Sequence, residues 1–308
     1  MDYRQTSKDV FHVIVLVALA AGLLFALTWT GVLRCSVVPG WCDAYWLMVR
    51  GGTPRVLIVE GLGGMGDPDL LQRELSNPQH VGVKPAISRL DLVNLGNIKS
   101  YDLVIVERAR KMSTGKLKMF MEYVNGGGRL VWTGDAGTEL DAGDQLLYAD
   151  EDPNQDTNDH LALNPWRRKE FDRIVAFDEF LSVGYVDNFC KVRPCSVSRP
   201  WQGLLRVEPD RSHRLVYGLR EGLVLRGDFA IVKPIDGSSS TRVLSLDWES
   251  NLITSAGVEL GKTFPVIQTS GVGERVAYYA VPPEQFVADD LPEKYYTILE
   301  NLYFGMIK

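Results

Sequence analysis

The chain has 308 residues, 45% of them hydrophobic and 23% charged, with a formal net charge of −6. That mixture excludes an intrinsically disordered chain, and the acidic balance excludes nucleic-acid binding, which needs a basic field for phosphates. Asp2, Arg4, Lys8 and Asp9 cancel, so the excess of acid belongs to the segment beginning at Arg34.

Residues 1–10 read as a short tail. Residues 11–33 carry no charge and only His12, Thr28 and Thr30 as polar side chains. As a helix they would extend about 35 Å against roughly 30 Å of hydrocarbon, so a single membrane crossing is expected, with the lipid bilayer as partner. The alternative is a cleaved signal peptide, whose apolar core is shorter, about 7–15 residues. Trp29, Trp41, Tyr45 and Trp46 suit a headgroup region at the end of the span. Arg4 and Lys8 on one side balance Arg34 and Arg50 on the other, so positive charge does not set the orientation. The cysteines do. Cys35 with Cys42 and Cys190 with Cys195 make two close pairs with none left over, the usage of an oxidising compartment, which places the large domain outside the cytoplasm. Four unrelated thiols in a cytoplasmic domain are the alternative. Neither gap has the C-x-x-C spacing of a zinc site.

Residues 34–54 read as a turn-rich linker, with Pro39, Gly40, Gly51, Gly52 and Pro54 around a short aromatic stretch. One α/β domain is predicted over 55–308. Residues 55–60 (RVLIVE) are a first strand, broken by Gly61 to Gly66 before Asp67 and Pro68 offer the cap and first turn of a helix through Leu75. Residues 84–92 supply a second strand, 94–100 a turn and 102–107 (DLVIVE) a third strand. A helix over 116–124 ends at Gly126 to Gly128, and 129–133 (RLVWT) is a fourth strand. Continuous apolar strands separated by helices indicate a parallel sheet covered on both faces. Residues 150–159 read as an exposed loop and 171–180 as an amphipathic helix. From Leu204 onward strands are predicted at 222–232, 242–248 and 275–281, with a turn at 237–240 and a closing helix over 295–306.

Three stretches carry a family likeness: YDLVIVE (101–107), YVNGGGRLVWTGDAG (123–137), and SHRLVYGL (212–219) together with FPVIQTSGVGERVAYYAVP (264–282). The chain over 55–307 resembles the class I glutamine amidotransferase-like superfamily, nearest to its membrane-associated and carbohydrate-related branches. The resemblance implies a three-layer, flavodoxin-like α/β domain with a mainly parallel sheet and additional strands in the C-terminal half. It also implies a nucleophilic cysteine on the turn after RLVWT. Here that turn holds Asp135, and the loop after DLVIVE offers Arg108, Ala109 and Arg110 in place of oxyanion-binding glycine amides. Glutaminase chemistry is thereby excluded. The expectation is a catalytically silent binding or scaffolding subunit with protein partners in a membrane complex. The alternative is a membrane-bound hydrolase or carbohydrate-active enzyme, taking a small polar ligand at the carboxyl edge of the sheet and using Asp135, Glu107, Glu60 or His213.

Gly61, Gly63 and Gly66 match G-x-G-x-x-G, whose backbone cradles a pyrophosphate, but Asp67 and Asp69 at the helix start would repel one. They are secondary candidates, and no cofactor is expected. His12, His80, His160 and His213 form no H-x-x-x-H or H-E-x-x-H pattern, so no metal centre is expected. The acidic run Glu139, Asp141, Asp144, Asp150, Glu151 and Asp152 lacks the spacing of a calcium loop and reads as solvated surface. Ser182, Ser196 and Ser198 stand in no G-x-S-x-G context. Arg167, Arg168 and Lys169 beside Trp166 are a candidate contact for lipid headgroups or a partner.

Overall fold

The computed structural model describes residues 3–30, 32–38, 40–153, 160–193, 195, 203–208, 211–225, 227–235, 240–254, 257, 259–291 and 293–307. The predicted turn residues 237–239, loop residues 154–159, Ser196 and Ser198 lie outside them. The chain forms two compact units, 1–54 and 55–308.

In the first unit α1 (Tyr3–Thr30) is followed by a 3₁₀ turn at Cys35–Val37 and by α2 (Trp41–Arg50). One segment of α1, Asp9–Thr30, is long and apolar enough to cross a membrane, and a signal sequence would have the same character. The structure corrects the linker reading by placing a ten-residue helix there. Gly40 and Gly51 bracket α2 in the left-handed conformation, and the proline and glycine residues all lie outside it. The helix is fixed from several sides. A disulfide joins Cys35 to Cys42, the Trp41 indole donates to Thr28 Oγ1 at 2.9 Å, and the Tyr45 ring lies 5.7 Å from that of Phe25.

The second unit begins β1 (Val56–Glu60), α3 (Pro68–Ser76), β2 (Ala86–Arg89), α4 (Leu95–Ile98), β3 (Leu103–Glu107), β4 (Lys111–Met112), α5 (Thr114–Asn125) and β5 (Arg129–Thr133). It continues through β6 (Glu139–Leu140), β7 (Gln145–Leu146), β8 (Arg167–Glu170), β9 (Arg173–Ala176), α6 (Phe177–Leu181), β10 (Val183–Asn188) and α7 (Phe189–Val192). It closes with β11 (Gly203–Val207), β12 (Leu223–Leu225), β13 (Ala230–Pro234), β14 (Ser240–Ile253), β15 (Glu259–Ser270), β16 (Val276–Tyr279) and α8 (Tyr296–Ile307).

The main sheet runs β12-β11-β14-β15-β16-β5-β3-β1-β2. The five strands from β16 to β2 are mutually parallel. Strands of the C-terminal half continue the sheet antiparallel. The fold is thus α/β with a mixed sheet. Leu57, Val59, Val104, Val106, Leu130 and Trp132 form one cluster with Leu117 and Phe120 of α5 and Phe177 and Leu181 of α6. The alternating residues Val56, Ile58, Leu103, Ile105 and Val131 are equally buried, and α3 packs against β1 and β2. That two-sided burial is why RVLIVE, DLVIVE and RLVWT read as unbroken apolar runs, each enclosed aliphatic side chain contributing about 1.5–3 kcal/mol.

The helix expected over 171–180 is instead the hairpin β8-β9 followed by α6. Phe171 turns the hairpin with φ 53° and is 90% exposed. Residues 222–232 divide between β12 and β13, which belong to different sheets.

Candidate functional site

Because β1, β3, β5 and β16 are parallel, the loops that follow them gather at one edge of the sheet, where α/β domains take their ligands. Backbone hydrogen bonds stitch these loops together. The amides of Arg108 and Arg110 donate to the carbonyls of Met65 and Gly63, Gly137 N donates to Ala109 O, and Gly134 N donates to Tyr279 O.

The glycine-rich loop lies on protein. A Cβ at Gly66, whose φ is +112°, would fall 2.2 Å from Glu107 Cγ, and one at Gly61 would fall 2.8 Å from Ala109 Cα. Two amides of the loop are already engaged, Met65 N by Asp135 Oδ1 at 2.9 Å and Asp67 N by Glu284 Oε1 at 2.8 Å. The three glycines of the pyrophosphate pattern therefore serve close packing at Gly61 and Gly66. Gly63 has open space around its Cα.

Asp135 sits at the turn after β5 and is 1% exposed. Its carboxylate accepts from Met65 N, from Arg110 Nε at 2.7 Å and from Asn188 Nδ2 at 3.0 Å. Tyr185 Oη in turn donates to Asn188 Oδ1 at 2.7 Å. A carboxylate so occupied joins the glycine-rich loop, the loop after β3 and the end of β10.

Glu107, at the carboxyl end of β3, is fully buried, and no N–H donates to either of its oxygens. Burial and the adjoining carboxyl of Glu284 push its pKa well above the usual carboxylate range. Glu284 lies in a 3₁₀ turn at Pro283–Val287 and is raised by burial as well.

Beside these buried groups a cavity of about 380 Å³ opens at the same edge. Glu60, Asp91 and Asp141 supply its carboxylates, and Arg89, Arg108, Lys111 and Lys116 its cations. Arg108 faces Glu60 at 3.5 Å, and Ser113, the cap of α5, is also in the wall. Glu60 and Gly61 are thus the sequence-derived candidates that line an open cavity. Arg89, Asp91, Lys111, Lys116 and Asp141 were not singled out as one site, because they approach only when the loops after β2 and β3 and the 139–144 segment meet.

His213 stands apart. Its Nε2 contacts Glu274 at 3.1 Å and its Nδ1 accepts from Leu215 N. Glu274 precedes β16, which places it at the amino edge of the parallel strands, opposite the cavity.

The basic cluster is corrected as well. Arg168 is wholly buried and donates to the carbonyls of Pro165, Met112 and Gly137, with Asp144 at 3.3 Å. Burial brings its pKa down to about 10. Arg167 is engaged with Asp152, Asp178 and Glu179. Within the acidic run, Asp141 pairs with Lys111 and Glu151 with Lys169. Disulfides join both cysteine pairs, Cys35 to Cys42 and Cys190 to Cys195.

No family model matches the sequence, and no curated protein does. Solved structures do match. A ThuA-like protein from Bacteroides uniformis is 15% identical, with a TM-score of 0.50 over 82% of this chain and 91% of its own. The cold-adapted β-galactosidase from Rahnella sp. R3 is 13% identical, with a TM-score of 0.51 over 82% of this chain but only 31% of its own, so the chain spans about a third of that enzyme. An α-L-fucosidase isoenzyme from Paenibacillus thiaminolyticus is 13% identical with a TM-score of 0.47, over 83% of this chain and 33% of its own.

These findings correct the resemblance drawn from the sequence. The shared fold is that of a ThuA-like protein and of part of a β-galactosidase, in place of a flavodoxin-like glutamine amidotransferase. The expectation of a catalytically silent scaffold falls with it. That expectation took the missing cysteine as the lost nucleophile of an amidotransferase, and it goes with the amidotransferase resemblance on which it rested.

Proposed function

We propose that the protein is a carbohydrate-active hydrolase, tethered to a membrane by α1 with its large unit outside the cytoplasm. The observation that carries the reading is the polar cavity at the carboxyl edge, where Glu60, Asp91 and Asp141 surround a volume of about 380 Å³, large enough for a sugar ring or two. Glycoside hydrolysis needs a carboxylic acid near the leaving oxygen and a second carboxylate to act as base or nucleophile. Glu60 is the first choice for the base or nucleophile, because it sits at the end of a rigid strand and Arg108 orients its carboxylate. Asp91, on the loop after β2, is the candidate for the acid, since hydrogen bonds from Ala142 N and Lys111 hold Asp141 below the usual carboxylate range. The fold likeness to a β-galactosidase supports the substrate class. Two disulfides support an oxidising compartment.

The test is turnover of a panel of aryl glycosides by the full chain in detergent micelles. Glu60→Gln should lower kcat by at least about 100-fold with the fold unchanged by circular dichroism. Equal turnover by the variant, or none by either protein on any glycoside, would remove the reading.

A further inference from the structure

The charges lining the cavity do not balance. Three of the four cations stand against a carboxylate: Arg108 with Glu60 at 3.5 Å, Arg89 with Asp91 at 2.8 Å, and Lys111 with Asp141 at 3.4 Å. The fourth, Lys116, donates to the backbone carbonyl of Val93. Among the described residues no carboxylate comes within ion-pair distance of Lys116, and Asp91 acts on it only through space. Its ammonium is partly buried, so it has surrendered some water for a single neutral acceptor.

Its position adds to the imbalance. Lys116 lies in the first turn of α5, a 12-residue helix, where the macrodipole contributes further positive potential. Two backbone amides of that turn are already engaged, Thr114 N by Asp144 and Lys116 N by Ser113 Oγ. The side chain can answer an anion. Lys111 lines the same cavity and can turn from Asp141 toward an entering charge, because its side chain is 45% and that of Asp141 51% exposed.

We infer that the ligand of this cavity is anionic, an acidic sugar bearing a carboxylate or a phosphate, and that Lys116 is the residue that reads its acid group. The inference rests on the carbohydrate reading of the cavity and narrows it. A neutral sugar would leave the lysine as it stands, whereas a uronic acid or a sugar phosphate would replace the lost water with a charge-assisted hydrogen bond.

The experiment is calorimetric titration of the full chain in detergent micelles at low salt with glucuronate, glucose 6-phosphate and glucose. At least one acidic sugar should bind about tenfold more tightly than glucose or better, a difference of 1.4 kcal/mol. Lys116→Gln should abolish that preference and Lys116→Arg should retain it. A preference for the carboxylate over the phosphate, or the reverse, identifies which acid the site takes. Glucose binding as tightly as both acids, or a preference that survives Lys116→Gln, overturns the inference and leaves the carbohydrate reading standing. Absence of binding by all three sugars overturns the inference, and the carbohydrate reading is then judged separately by the glycoside panel.

Discussion

Glu107 and Glu284 adjoin one another in the interior, one at the end of β3 and the other in the turn that follows β16. Burial raises both, Glu107 the more strongly because Glu284 and Asp67 add to it and Arg108 offsets only part. The folded pair therefore holds a proton that the unfolded chain releases near the ordinary value of 4.5. Such a group contributes its stability in full below that value and loses it as pH rises through the folded pKa. Glu107→Gln should flatten the alkaline decline and raise Tm at pH 8 by about 2–4 °C, the equivalent of 1 kcal/mol in a chain of this size. Thermal melts from pH 5 to 9 check it, and parallel profiles for the two proteins would refute it.

Gly66 presses on the same carboxyl. Gly66→Ala sets a methyl 2.2 Å from Glu107 Cγ on a backbone at φ +112°, and should cost at least about 2–3 kcal/mol in urea unfolding. Adding Glu107→Ala should return part of that loss, since the clash then has no partner. Strict additivity of the two changes would count against the contact.

Asp135 supports three neighbours through one carboxylate. Asp135→Ala should cost about 3–5 kcal/mol by leaving Arg110 and Asn188 without their acceptor, and Asp135→Asn should cost less. The denaturation midpoint measures both. A loss of activity in Asp135→Ala without loss of stability would assign this residue to the chemistry instead.

Thiol titration of the unfolded, unreduced protein should find no free cysteine, and four after reduction. Replacing Cys190 and Cys195 together by serine should lower stability by about 2 kcal/mol, as befits so short a loop. Two free thiols in the native protein would contradict one bridge, and four would contradict both.

Much of the parallel half was legible because β1, β3 and β5 are buried on both faces and so leave unbroken apolar runs. Asp67 likewise announced α3, and its side chain accepts from Leu70 N as a cap. Residues 167–176 were harder, since RRKE and RIVA carry charge on a hairpin whose buried members, Arg168 and Val175, are not an apolar series. The site was only half visible. Glu60, Glu107 and Asp135 follow from where parallel strands end, but Glu284 is separated from Glu107 by 177 positions and meets it only because β16 inserts between β15 and β5. Lys116 looked like one polar residue of an amphipathic helix, and nothing local marks it as the wall of a cavity.

The buried guanidinium of Arg168 ties three backbone carbonyls, and one of them, that of Met112, belongs to the cavity wall. That stretch is consequently finished architecture before any guest arrives. Amide hydrogens at 112 and 137 should exchange at the same slow rates with and without a bound sugar, so that what moves on association is side chain and not backbone.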